Sequence, residues 1–202
     1  LADFLIWGVE TYPAEKYGVV IWDHGGSWLG VAHDYDIPEI DGLTMPELTQ
    51  ALEKAQAETG IEKFDLLGFD ACLMGAIEVY ETIEPFADYS VASPELVPGQ
   101  GWDYGTFLFD LVSMPEMDAV MLGESIVRNF DFYYREIDSK YDFFNLALVD
   151  LSKTTGLTTA LEDFNDLVNA DPATSLITIS QARARSLMFA AYDDPRWVDI
   201  WS

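Results

Sequence analysis

Two short apolar runs constrain this chain more than any other feature, because each is an uninterrupted β-favouring segment that turns polar at its carboxyl end. Residues 17–26 read YGVVIWDHGG and residues 64–75 read FDLLGFDACLMG. Val19, Val20, Ile21 and Trp22 in the first, and Leu66, Leu67, Gly68 and Phe69 in the second, have the apolar continuity of strands covered on both faces of a parallel sheet. Asp23-His24-Gly25-Gly26 follows one run and Asp70-Ala71-Cys72 the other, so His24 and Cys72 fall at strand carboxyl ends. Open α/β sheets bind their ligands there. Cys72 is the only cysteine and His24 is one of two histidines, which points to the chemistry of a Cys/His dyad.

The segment between the two runs reads as a crossover helix. Thr44 is placed as N-cap, Pro46 lies in the first turn, and Glu47 completes a capping box. The pattern extends to Thr59 and stops at Gly60, with Leu48, Leu52 and Ala55 on the buried face. Strand, helix and strand make a βαβ unit, which brings the two strands into one sheet and His24 and Cys72 to the same edge.

Around this unit the reading is coarser. Residues 1–9 are a short apolar piece and 12–16 a turn or helix stub. Almost nothing precedes Tyr17, so earlier strands of the domain are expected outside the chain. Residues 33–41 form an acid-rich loop. Asp34, Asp36, Glu39 and Asp41 invite a calcium reading, but the central glycine and final glutamate of an EF-hand loop are missing, so a solvated loop is the plainer account. After Cys72, Leu73, Ile77 and Tyr80 share a helical face that ends before Pro85. Cys72 then lies at a helix amino terminus, which favours thiolate, although a small buried core residue is the ordinary fate of a free cysteine. Residues 89–93 read as a third strand. The Pro/Gly-broken loop 93–107 carries Trp102, Asp103 and Tyr104 and is expected to wall a pocket. Helical patterns occupy 117–134, 151–169 and 178–191, with a strand-like piece at 143–149, and residues 197–202 end without a visible cap.

With 202 residues, half of them hydrophobic, the chain has material for one core, and a single domain spanning 1–202 is the expectation. Ten basic residues stand against 36 acidic ones, a net charge of −26. Nucleic acid and anionic membranes are poor partners for such a surface. No apolar run approaches the roughly 18 residues of a membrane helix, so no membrane span is expected. The chain begins with Leu1 and carries no leader, which leaves secretion open.

The DHGG and DACLMG pair, the entry TYPAEKYGVVIWDHGG and the run SVASPELVPGQGWDYGTF resemble clostripain-type cysteine peptidases, of the clan that includes caspase, legumain and gingipain. The similarity continues more weakly through ALVDLSKTTGL. The resemblance implies a caspase-like α/β three-layer sandwich with a mostly parallel sheet, lacking its N-terminal strands in this chain. It implies His24 and Cys72 as the catalytic dyad of a cysteine endopeptidase, with peptide or protein substrates cut after Arg or Lys and a secreted or cell-surface location. No cofactor is required, although calcium is needed by some members. Backbone N–H groups near Gly25 and at Cys72 would hold the oxyanion.

Asp70 and Asp103 are the acids expected to select a cation, with Ser93 and Trp102 beside them in substrate binding. The alternatives are an N-cap for Asp70 and a turn residue for Asp103. Two rival functions stand against the peptidase. One is a non-catalytic peptide-binding or adhesion module on the same fold. The other is an α/β-hydrolase-type esterase, suggested by His24-Gly25-Gly26 but lacking a G-x-S-x-G elbow and a late histidine.

Overall fold

The two apolar runs form neighbouring parallel strands, and the rest of the sheet is built outward from them. In the computed structural model, which describes residues 1–34, 41–189 and 198, the chain divides into two compact units, 1–152 and 153–202. In the first unit, helix α1 (Ala2–Thr11) precedes β1 (Gly18–Trp22), and β2 (His24–Gly25), β3 (Val31–Asp34) and β4 (Asp41–Leu43) follow. Helix α2 (Met45–Thr59), β5 (Phe64–Asp70), α3 (Ile77–Ile83), β6 (Ala87–Ala92), α4 (Tyr104–Ser113), α5 (Ala119–Phe132) and β7 (Ala147–Asp150) complete it. The main sheet has the order β1-β5-β6-β7, and β2-β3-β4 form a small second sheet.

The β1–β5 and β5–β6 pairs are parallel, and β7 closes the sheet antiparallel to β6. Alternation along β5 sends Leu67 and Phe69 to one face and Leu66 to the other. The first face carries the larger core, where Leu48 and Leu52 of α2 and Val79 and Ile83 of α3 pack with Leu67, Phe69 and Ile21. The second carries Leu66, Val91, Trp102, Phe107, Ile126, Phe130 and Tyr134. Helices thus cover both faces of a mostly parallel sheet, which is the three-layer α/β arrangement. At the observed burial each of these aliphatic side chains contributes roughly 1.5–3 kcal/mol.

Helix α2 has the boundaries its sequence signals predict. The Thr44 side chain accepts the Glu47 N–H, Glu47 reaches back to the Thr44 N–H at 3.0 Å, and Gly60 ends the helix in the left-handed conformation. Three other elements differ from expectation. Helix α3 starts at Ile77 and buries Val79, Tyr80 and Ile83, because Leu73 takes a φ of 64° and the chain turns before the helix begins. Helix α4 occupies residues read as loop, with Asp103 as its N-cap. The small antiparallel sheet takes both ends of the acid-rich stretch 33–41 that reads as a loop, with His33 and Asp34 in β3 and Asp41 in β4.

In the second unit, α6 (Thr154–Ala170) is followed by α7 (Pro172–Arg183). Asp171 caps α7 by accepting the Thr174 N–H, and Pro172 follows the cap, so this helix begins well before the expected residue 178. Trp197 and residues 199–202 lie outside the described residues, as do Asp36 and Glu39 of the acidic loop.

Candidate active site

The β1–β5 register pairs Trp22 with Asp70, so the two strands end side by side and their polar sequels meet. On the histidine side, Asp23 has φ 106°, a region costly for a residue with a Cβ, and strain of this kind concentrates at functional sites. The bend lets the Asp23 carboxylate accept the His24 N–H at 2.7 Å and places it 3.8 Å from His24 Nε2. His24 then enters β2 opposite His33, whose Nδ1 lies 3.3 Å from the His24 carbonyl oxygen. The His24 side chain is largely exposed, at 62%.

On the cysteine side, the chain leaves β5 in a turn. The Leu73 N–H donates to the Glu95 carbonyl at 3.2 Å and the Gly75 N–H to the Ser93 carbonyl at 2.8 Å, which ties the turn to the loop after β6. The Val97 N–H donates to Cys72 Sγ at 3.3 Å, and Sγ lies 3.8 Å from the Val97 carbonyl oxygen. Cys72 is half-buried and in no disulfide, as the sole cysteine. Burial is the largest influence on its thiol and pushes its pKa up. The nearby Glu95 and Asp70 carboxylates push the same way, while the Val97 N–H pulls it down. The expected helix amino terminus is absent at Cys72, since α3 begins five residues later, so no helix dipole lowers this thiol in the resting state.

Asp70 sits at the base of the site and is almost completely buried, at 2% exposure. Its Oδ2 accepts the Trp102 N–H at 3.0 Å and the Tyr104 hydroxyl at 3.1 Å. Its Oδ1 has no hydrogen-bond partner among the described residues. Burial raises its pKa, offset in part by those two donors. Asp70 is therefore not the N-cap of α3, a place held by Ala76. Gly101 crosses directly over the carboxylate with φ 66°, and a Cβ there would lie 2.5 Å from Oδ2. Only glycine fits this crossing.

Trp22, Asp23, His24, Asp70, Ala71, Cys72 and the loop residues Val97, Pro98, Gly99 and Gly101 line one open cavity of 330 Å³. Three residues expected at the substrate lie elsewhere. Ser93 is fully buried; its hydroxyl donates to the Glu95 carbonyl at 2.9 Å and accepts the Glu95 N–H at 3.0 Å, the work of a turn. Asp103 caps α4, receiving the Thr106 N–H at 3.3 Å and the Thr106 hydroxyl. Trp102 is 3% exposed and packs its ring into the second core against Phe107; its backbone alone reaches Asp70. Val97 carries no sequence signal for a site, and Tyr104, expected only as part of the loop that walls a pocket, reaches Asp70 through its hydroxyl. No group of three or more His, Cys, Asp or Glu side chains among the described residues is placed to hold a metal ion.

A cysteine and a histidine at the carboxyl ends of adjacent parallel strands, beside one cavity in a three-layer sandwich, define the caspase-like α/β class. The model of the clostripain family matches residues 1–192, and the chain belongs to that family. It is 28% identical over 245 residues to clostripain of Hathewaya histolytica, an alignment covering 98% of this chain and 44% of that protein. A secreted C11 cysteine protease from Bacteroides thetaiotaomicron, solved with an irreversible peptide inhibitor, is 25% identical with a TM-score of 0.62. That match covers 80% of this chain and 47% of the other. An inactive zymogen C11 protease from Parabacteroides distasonis shares the fold at 22% identity and a TM-score of 0.54, over 78% of this chain and 40% of the other. The chain spans less than half the length of these relatives.

Proposed function

We propose that this chain carries the catalytic centre of a cysteine endopeptidase with Cys72 as nucleophile and His24 as acid and base, cutting after Lys or Arg. The observation that supports it most is the β1–β5 register, from which His24, Cys72 and the buried Asp70 all line one cavity. The raised thiol pKa favours a protonated Cys72 at rest. On substrate binding the Cys72 proton passes to His24, and the sulfur attacks the scissile carbonyl. The carbonyl oxygen becomes an oxyanion, for which the Cys72 N–H and an N–H near Gly25 are the donors. His24 returns the proton to the leaving amine, freeing the new amino terminus and leaving a thioester on Cys72. Water, deprotonated by His24, attacks that thioester and releases the acid while Cys72 regains its proton.

Asp70 supplies the specificity. Its unpartnered Oδ1 is a buried acceptor beside the nucleophile, and a substrate cation seated there gains a charge-assisted bond while acidic residues are repelled. Burial raises the thiol most, with Glu95 and Asp70 adding to it; a cation on Asp70 offsets that last part, so substrate binding shifts the thiol toward thiolate. Secretion fits the relative described as secreted, and among the described residues no helix is long and apolar enough to cross a membrane. Turnover of fluorogenic peptides that differ only before the scissile bond tests the proposal. Cleavage after Lys and Arg, lost in Cys72→Ala, supports it. Binding of such peptides without turnover would instead favour the adhesion module.

A further inference from the structure

Tyr104 stands at the first residue of α4, outside the dyad, yet its hydroxyl ends on the Asp70 carboxylate at the base of the cavity. A carboxylate has about four acceptor positions, two on each oxygen. On Asp70, Oδ2 receives the Trp102 N–H and the Tyr104 hydroxyl, which fills both of its positions. Oδ1 is buried and receives none from the described residues. An arginine fork binds a carboxylate through one bond to each oxygen, whereas a lysine ammonium acts as a compact point charge. The two cations therefore do not meet Asp70 on equal terms.

We propose that Tyr104 is a specificity-determining residue: by occupying Asp70 Oδ2 with the Trp102 N–H, it leaves one oxygen for the substrate cation, so the site takes lysine at least as well as arginine. This rests on the reading of Asp70 as the residue that receives the cation. Bidentate capture of arginine requires Oδ2 to release a donor. The Trp102 N–H is a backbone group fixed by the crossing at Gly101, so the donor that can be removed by substitution is the tyrosine hydroxyl. The Tyr104 ring is independently held, stacked on Trp102 at 6.4 Å between centroids and tilted on Phe107 at 5.2 Å. Tyr104→Phe thus deletes the donor and keeps the packing. The other ionisable groups around Asp70 are Cys72 and Tyr134, with Asp23 and His24 across the cavity.

The test measures kcat/KM of the full-length enzyme on peptides identical except for Lys, Arg, monomethyl-arginine or Gln before the scissile bond. With one oxygen available, Lys equals or exceeds Arg, and methylation, which keeps the charge but blocks the fork, changes the Arg rate by less than about threefold. Tyr104→Phe raises the Arg-to-Lys ratio by about tenfold, the size of one charge-assisted hydrogen bond. A wild-type preference for Arg above about tenfold, together with a comparable loss on methylation, would overturn the proposal even if Tyr104→Phe failed to fold. Equal loss on Lys and Arg in Tyr104→Phe would overturn it as well, since a merely structural residue leaves that ratio unmoved. The underlying reading fails separately: if Asp70→Asn keeps the preference for basic over Gln peptides, Asp70 does not receive the cation and the proposal falls with it.

Discussion

The backbone of Gly25 lies directly against the carbonyl oxygen of Cys72. A Cβ built on Gly25 would overlap that oxygen and press on Ala71 Cβ and Met74 Cγ, each at 3.1 Å. The absence of a side chain is therefore what lets the histidine strand end and the cysteine turn share one cavity.

Gly25→Ala forces the two segments apart. Overpacking of this kind costs about 1–3 kcal/mol of stability. The larger effect falls on catalysis, where a displacement of about 1 Å costs on the order of 100-fold. Turnover and thermal melting measured together should show activity falling far more than stability. Equal turnover in the variant would separate the two segments functionally.

Asp70→Asn probes the buried carboxylate by its pH dependence. The folded-state pKa of Asp70 is raised above its ordinary 3.8. Its contribution to stability is therefore fully present below that ordinary value and is lost as pH rises through the higher folded value. Once ionised, the half-satisfied group weighs against the fold. An asparagine oxygen still accepts from Trp102 and Tyr104, so Asp70→Asn should melt at or above the wild-type temperature at pH 7 while cleavage after Lys and Arg collapses. A lower melting temperature with basic preference intact would reverse both assignments.

The same carboxylate adds to the influences on the Cys72 thiol. Burial, Glu95 and Asp70 hold the Cys72 thiol above its ordinary 9.0. Alkylation by iodoacetamide without substrate should therefore be slow at pH 7, rise with pH, and level off only above that value, because the thiolate reacts. Asp70→Asn and Glu95→Gln should each move the curve to lower pH. A plateau already reached at pH 7 in the wild type would show a thiolate resting state.

Much of the first core was legible in the sequence and much of the site's wall was not. The capping box at Thr44 and Glu47 and the stop at Gly60 are local signals, satisfied by bonds within a few residues, so α2 reads correctly. The turn at Cys72 is not local. Leu73 and Gly75 are held by carbonyls of Glu95 and Ser93, some 20 residues away, and this tertiary anchorage overrides the helical spacing of Leu73, Ile77 and Tyr80. Asp103 reads as a turn beside two glycines yet caps a helix, because turns and N-caps use the same side-chain bond. Tyr104 carries no sequence signal for its role, which exists only where α4 meets the end of β5.

Asp103→Asn retains the capping acceptor for Thr106, so the ratio of basic to neutral peptide cleavage should hold, whereas Asp103→Ala should cost about 1 kcal/mol in stability. A loss of basic preference in Asp103→Asn would return this acid to the pocket.

Between His24 and Cys72 the only lysines or arginines are Lys54 and Lys63. Lys54 lies within α2 and pairs with Asp3 at 2.8 Å. Lys63 donates to the Glu84 carbonyl at 2.6 Å and pairs with its carboxylate at 3.0 Å. Neither offers the extended, exposed backbone that proteolysis requires, so mass spectrometry of the mature enzyme should find no break after either residue. A fragment ending at Lys54 or Lys63 would contradict this.

If Cys72 attacks and His24 moves the proton, a lysine-ended peptide electrophile should label the protein covalently at one place. Incubated with the full-length protein and mapped by mass spectrometry, the probe should leave one adduct on Cys72. The adduct should be absent in Cys72→Ala, and peptide turnover should fall by at least about 100-fold in His24→Ala, as for loss of a general acid and base. An adduct elsewhere, or wild-type turnover in His24→Ala, would contradict the dyad.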